Sequence, residues 1–119
     1  MAHEFYRYQS AERSAGRHRS LIVARVAEGA EEKVADLFAE SDAGELPALV
    51  TVTSRSLLRV GSLYLHYIEA EQPVAPLVAR HRDHPEFRSV NEGLAEYVAP
   101  YDPSTWRGPA DAMARELRH

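Results

Sequence analysis

The dipeptide Gly61-Ser62 stands between two apolar segments of strand length, residues 49–60 and 63–69. A two-residue connection of the Gly-X type suits a type II′ turn, which closes an antiparallel hairpin. The turn then sets the register. Val60 falls opposite Leu63, Arg59 opposite Tyr64, Leu58 opposite Leu65, Leu57 opposite His66, Ser56 opposite Tyr67 and Arg55 opposite Ile68. Alternation along each strand sorts these side chains onto two faces. One carries Ser56, Leu58, Val60, Leu63, Leu65 and Tyr67; it is mostly apolar and is expected to lie under helices. The other carries Arg55, Leu57, Arg59, Tyr64, His66 and Ile68.

The second face mixes cations, an imidazole and a phenol with aliphatics. Arg55 and His66 are diagonal neighbours on it, ~7–8 Å apart at the backbone and within reach as side chains. A permanent guanidinium polarises a carbonyl or holds an enolate. An imidazole takes or gives a proton near neutral pH. Tyr64 offers a hydroxyl donor, and the upstream Asp42 offers a carboxylate to orient the imidazole or act as a base. The set suits proton transfer beside a carbonyl in a pocket. A solvated face or a subunit interface has the same pattern, so the spacing leaves those readings open.

Around the hairpin the chain alternates strand and helix. Residues 19–26 (RSLIVARV) form a β-branched strand that Glu28-Gly29 ends. Residues 30–40 read as an amphipathic helix, with Val34, Leu37 and Phe38 on one side. Glu28, Glu31 and Glu32 lie near its start, where the helix dipole favours acids. Residues 41–47 (SDAGELP) read as a loop. Pro73 opens a helical region through Arg82, and His84-Pro85 opens another that runs through Tyr97-Val98 to a stop at Pro100 and Pro103. Residues 112–117 are a last edge strand or a helix. The order is βαββαβ, the α+β ferredoxin-like pattern: an antiparallel sheet with helices on one face. Residues 1–18 form a polar tail or arm before the domain at 19–119. Phe5, Tyr6 and Tyr8 make that arm aromatic enough to dock on a partner subunit.

Composition excludes several functions. With 119 residues the chain has room for one core. It has no cysteine, hence no disulfide, thiol nucleophile or thiolate metal site, which fits a reducing cytoplasm. A formal charge of -4 disfavours nucleic acid and anionic membranes. No apolar run approaches the ~20 residues that span a bilayer, and the first 18 residues lack the apolar core of a secretory signal. His81 and His84 are spaced like a metal pair but have no third ligand at a recognisable spacing. Trp106 and Tyr101, in a Pro-rich segment, suit core packing or an aromatic pocket wall. Neither a Gly-rich phosphate loop nor a Ser-centred nucleophile elbow is present.

Several motifs carry a family resemblance: SLIVARV at 20–26, FAESDAGELP at 38–47, SLYLHYIEA at 62–70, RDHPEFRSVNEGLAEYVAPYDPSTW at 82–106 and DAMA at 111–114. In this order the chain resembles the small bacterial polyketide cyclases of the tetracenomycin cyclase type, with their spore-pigment and curamycin relatives. The resemblance implies a ferredoxin-like fold paired as a homodimer into a dimeric α+β barrel, with no metal and no organic cofactor. It implies a regiospecific intramolecular aldol cyclisation with dehydration of a poly-β-ketone or partly cyclised intermediate, with synthase components as possible partners. It assigns catalysis to Asp42, Arg55 and His66, with His66 as acid/base, Arg55 as anchor and Asp42 as orienter. Ser41, Tyr64, Arg59 and Trp106 are the expected substrate contacts. Where the family has a His before the Asp, this chain has Ser41, which is no base near neutral pH. Two rival activities fit the same frame: a cofactor-independent monooxygenase, and a non-catalytic chain-shaping subunit of a synthase complex.

Overall fold

The hairpin forms in the register the turn dictates, from Val60 opposite Leu63 to Arg55 opposite Ile68. Gly61 has φ 59° and Ser62 stays at negative φ, the type II′ pattern. The structure is a computed structural model and describes residues 3–13 and 16–100. In chain order these form strands β1 (His3–Gln9) and β2 (His18–Val26) and helices α1 (Glu31–Asp42) and α2 (Leu46–Leu49). Strands β3 (Val52–Val60) and β4 (Leu63–Ala70), helices α3 (Val74–His81) and α4 (Pro85–Leu94), and strand β5 (Val98–Pro100) follow.

All strand pairs are antiparallel, in one sheet of order β1-β3-β4-β2-β5. The result is an α+β sheet with helices on one face. It is not a barrel. Closure requires the outer strands to pair with each other, whereas among the described residues β1 pairs only with β3 and β5 only with β2. The expected closed barrel is thereby corrected: the sheet is open, with β1 and β5 as its edges.

Local differences have local causes. Pro47 does not end a loop; it sits in the first turn of α2, where its missing N–H costs nothing. Tyr97-Val98 leaves the helix, and Val98 starts β5 instead. His84 caps α4 by accepting the Glu86 N–H on Nδ1 at 3.1 Å. In the aromatic arm, Tyr6 and Phe5 of β1 pack on this chain's own core, and β1 pairs with β3. Trp106 and residues 112–117 lie outside the described residues.

The two faces of the hairpin are reversed relative to expectation. Leu57, Tyr64, Ile68, Arg55 and His66 are the buried ones and face the helices. The more apolar set, including Leu58, Leu65 and Tyr67, lies half-buried on the open face. A bulge adds Val52 to the helix side. Val52 pairs with Ala70, but Ser54 pairs with Glu69, so Thr53 is an extra residue. The insertion shifts the alternation and puts Val52 and Arg55 on one face. Thr53 is secured by donating from Oγ1 to the Glu69 carbonyl at 3.0 Å.

Two apolar clusters fill the space under the helices. Val34 and Phe38 of α1 and Val90 of α4 pack on Ala24, Leu57 and Tyr64. Val74 and Leu77 of α3 pack on Val52, Ile68 and Ala70. Leu57 is among the largest side chains that are fully buried. Leu57→Ala is expected to cost about 2–5 kcal/mol in urea unfolding, the range for truncating a buried leucine.

Candidate active site

Asp42 ends α1, Arg55 lies on β3 just past the bulge, and His66 lies opposite Leu57 on β4. The three come together in the layer between sheet and helices. Arg55 grips Asp42 with a fork: Nη2 donates to Oδ1 at 3.0 Å and Nε donates to Oδ2 at 3.1 Å. Its other terminal nitrogen, Nη1, lies 2.6 Å from His66 Nε2. Side-chain exposure is only 8% for Arg55 and 3% for Asp42. The Phe38 ring covers both partners, 4.9 Å from the guanidinium carbon and 4.9 Å edge-on from the imidazole.

This geometry fixes protonation. Arg55 has only donors, so His66 Nε2 is the acceptor and the neutral ring carries its proton on Nδ1. Burial pushes the His66 pKa well below its usual value, and the Arg55 charge pushes it further in the same direction. His66 is therefore a neutral imidazole, able to take a proton but not stocked with one. Asp42 orients the guanidinium, where the imidazole was the expected partner. A third group joins them, unforeseen as such from the sequence: Tyr6 of β1 donates to Asp42 Oδ2 at 2.7 Å.

Arg55 and His66 line a partly open cavity of about 120 Å³. Its walls are mostly apolar, among them Ile22, Val50, Ile68, Val74, Phe87 and Leu94. Ser41 lines it too, on the last turn of α1.

Other expected contacts lie elsewhere. Arg59 is turned to the hairpin end, where Nε donates to the Gly61 carbonyl at 2.6 Å and the guanidinium pairs with Glu31 of α1. Tyr64 is buried with its ring 6.0 Å from His66, but it does not line the cavity. Its hydroxyl has no partner among the described residues, and burial raises its pKa. Phe38 was legible as a helix core residue, not as the cover of an ion pair. Tyr6 stood out only as part of an aromatic arm.

Among the described residues, one group of three metal-capable side chains lies together: Glu45, His84 and Glu86. It excludes His81, the residue whose spacing from His84 suggested a metal pair. Its polar atoms serve the fold. Glu86 Oε2 accepts the Glu45 N–H at 2.8 Å, and His84 Nε2 faces Glu45 Oε2 at 3.4 Å. These contacts join the starts of α2 and α4. Also among the described residues, no helix is long and apolar enough to cross a membrane.

Known proteins are similar to this chain. The sequence pattern of the family described as polyketide synthesis cyclase matches residues 18–119. An uncharacterised protein of Streptomyces coelicolor is 58% identical over 99 residues, covering 82% of this chain and 89% of that protein. A protein of Streptomyces cyaneus named polyketide synthase CurG is 49% identical, covering 86% of this chain and 95% of that protein. Tetracenomycin F2 cyclase of Streptomyces glaucescens is 38% identical over 97 residues, covering 82% and 88%. A solved structure of that type II polyketide cyclase superposes with a TM-score of 0.78 at 36% identity, covering 86% of this chain and 95% of that one.

The depressed His66 pKa couples folding to pH. The unfolded chain binds a proton at this residue near pH 6.5, while the folded chain does so only at lower pH. Stability from this group is thus complete above about pH 6.5 and is lost as pH falls below it, toward the folded value. His66→Gln, which retains an acceptor for Arg55, is expected to flatten this part of the dependence. Urea midpoints of both proteins from pH 7.5 to 5 measure the difference.

Proposed function

The chain belongs to the polyketide synthesis cyclase family, and we propose that it closes a ring of an aromatic polyketide intermediate by intramolecular aldol reaction and dehydration at the Arg55–His66 pair. The observation that carries this reading is a permanent cation in contact with a neutral imidazole at the wall of an apolar cavity. Aldol chemistry needs both: a base for the proton beside one carbonyl, and a positive group for the oxyanion that follows.

A substrate carbonyl entering the cavity competes for Arg55 Nη1–H. As Nη1 turns to the carbonyl oxygen, His66 Nε2 is released and takes the α-proton. The enolate carbon then attacks a second carbonyl of the same chain, forming the C–C bond. The new alkoxide recovers a proton from His66, whose imidazolium is disfavoured beside Arg55. Loss of water completes the unsaturated ring. Because the reaction is intramolecular, holding a near-attack conformer supplies much of the rate. The cavity volume of about 120 Å³ is below the ~300–1,000 Å³ of sites that bury a whole drug-sized ligand. It suits the reacting portion of the substrate, with the remainder extending past its mouth.

Ser41 supports the division of labour. At the position where the resemblance places a second histidine, it offers a hydrogen bond to the substrate and leaves proton transfer to His66. Residues 19–119 form the cyclase domain in this reading, and the protein works in the cytoplasm. A second copy is the fitting partner for the half-buried apolar face that includes Leu58, Leu65 and Tyr67.

With a poly-β-ketone or partly cyclised substrate, His66→Ala is expected to lower the cyclisation rate about 100- to 10,000-fold, the usual worth of a positioned acid–base group. Arg55→Gln is expected to lower it about 100- to 1,000-fold, as for a lost oxyanion donor. Both are measured by product chromatography, with circular dichroism to verify folding. Unchanged rate and product profile in both variants contradict the proposal, and oxygen consumption during turnover favours the monooxygenase alternative.

A further inference from the structure

Asp42 is held from two sides by two different parts of the chain. Arg55 supplies Nη2–H to Oδ1 and Nε–H to Oδ2, and Tyr6 supplies its hydroxyl to Oδ2. Tyr6 precedes residues 18–119, the part matched by the family pattern. The geometry points to Tyr6 as a positioning residue of the cyclisation, acting through Asp42 on the aim of Arg55. This inference rests on the reading of Arg55 and His66 as the reacting pair.

Four observations carry it. The Tyr6–Asp42 bond is short, at 2.7 Å, and charge-assisted. Asp42 is 3% exposed, so solvent has little access to replace a lost donor. The Tyr6 hydroxyl holds its proton: burial raises its pKa first, and the bond to Asp42 raises it further. It therefore remains a donor at any working pH. Finally, β1 is shaped to deliver it. Glu4 pairs with Leu58 but Tyr6 pairs with Leu57, so Phe5 is an inserted residue. This bulge turns Tyr6 to the helix side, where Leu57 and Arg55 lie, and its ring sits 6.5 Å from Phe38.

The consequence is mechanical. With donors from two residues on separate strands, the carboxylate plane is fixed, and so is the guanidinium that forks onto it. That guanidinium must point Nη1 at His66 before substrate enters and at a carbonyl afterwards. Without Tyr6, Asp42 keeps its charge and its pairing with Arg55 but loses the contact that sets its rotation. Substrate still binds the apolar cavity; the oxyanion donor is misaimed in the transition state. Such a loss appears in kcat and not in KM.

The test is Tyr6→Phe, which retains the ring against Phe38 and removes only the donor. Its kcat is expected to fall about tenfold at constant KM, a misalignment cost of one decade in rate. In an Asp42→Asn background the same change is expected to have no further effect, because residues acting as one unit are not additive. A wild-type kcat in Tyr6→Phe, or kcat and KM changing together, overturns the inference, and does so even if Asp42→Asn fails to fold. A tenfold loss that persists in a folded Asp42→Asn protein also overturns it. Arg55→Gln and His66→Ala, assayed alongside, separate the two claims. If they lose activity while Tyr6→Phe does not, only the role of Tyr6 fails. If they retain full activity, both claims fall together.

Discussion

A guanidinium buried between a sheet and its helices is costly unless its charge is matched and its donors are used. In this chain Asp42 matches the charge, and Asp42 and His66 use three of the donors. Most of the molecule is arranged to bring that about. Asp42 stands in the last turn of α1, where the helix dipole disfavours an acid. The Arg55 fork and the Tyr6 hydroxyl offset that penalty and tie the end of α1 to β3 and β1. At the other end of α1, Glu31 pairs with Arg59 of the same strand. The helix is thus fastened over β3 at both ends by ions, with Val34 and Phe38 packed between them.

The ion chain also determines the chemistry. Arg55 cannot give up its proton, so it dictates the tautomer of His66 and keeps the ring neutral. A neutral imidazole against a fixed cation is poised to accept a proton only after something displaces the cation. In the proposed reaction a carbonyl oxygen does that and is polarised in the same motion. Binding and activation of the base are one event in that proposal, beside the mostly apolar walls of the cavity. Neither residue alone provides this; the hairpin register puts Arg55 on the same side as His66, and the bulge at Phe5 brings Tyr6 to that side.

The hairpin, its turn and its register were legible because Gly61-Ser62 admits few geometries and a two-residue turn leaves the pairing no freedom. The nearness of Arg55 and His66 followed from that register. Which face the helices cover was not legible. Counting apolar residues favours the side of Leu58 and Leu65, yet the helices cover Leu57, Tyr64 and Ile68, and Asp42 arrives with them to neutralise Arg55. A long-range partner of that kind leaves no local trace. The bulge at Thr53 has no marker either, since Val-Thr-Ser reads as ordinary strand. Tyr6 was visible as an aromatic residue in an arm, but its hydrogen bond to a carboxylate thirty-six positions away is a fact of tertiary structure. The closed barrel was implied by resemblance, and nothing in the strand pattern of one chain requires it.

The protonation of His66 is where these arguments meet. Nitrogen-15 NMR of the folded protein, with His66 assigned by comparison with His66→Gln, reads it directly. The account predicts a neutral ring with its proton on Nδ1 and an acceptor shift at Nε2, unchanged from about pH 7.5 to well below the ordinary histidine value near 6.5. A ring that titrates near 6.5, or one that carries its proton on Nε2, contradicts it.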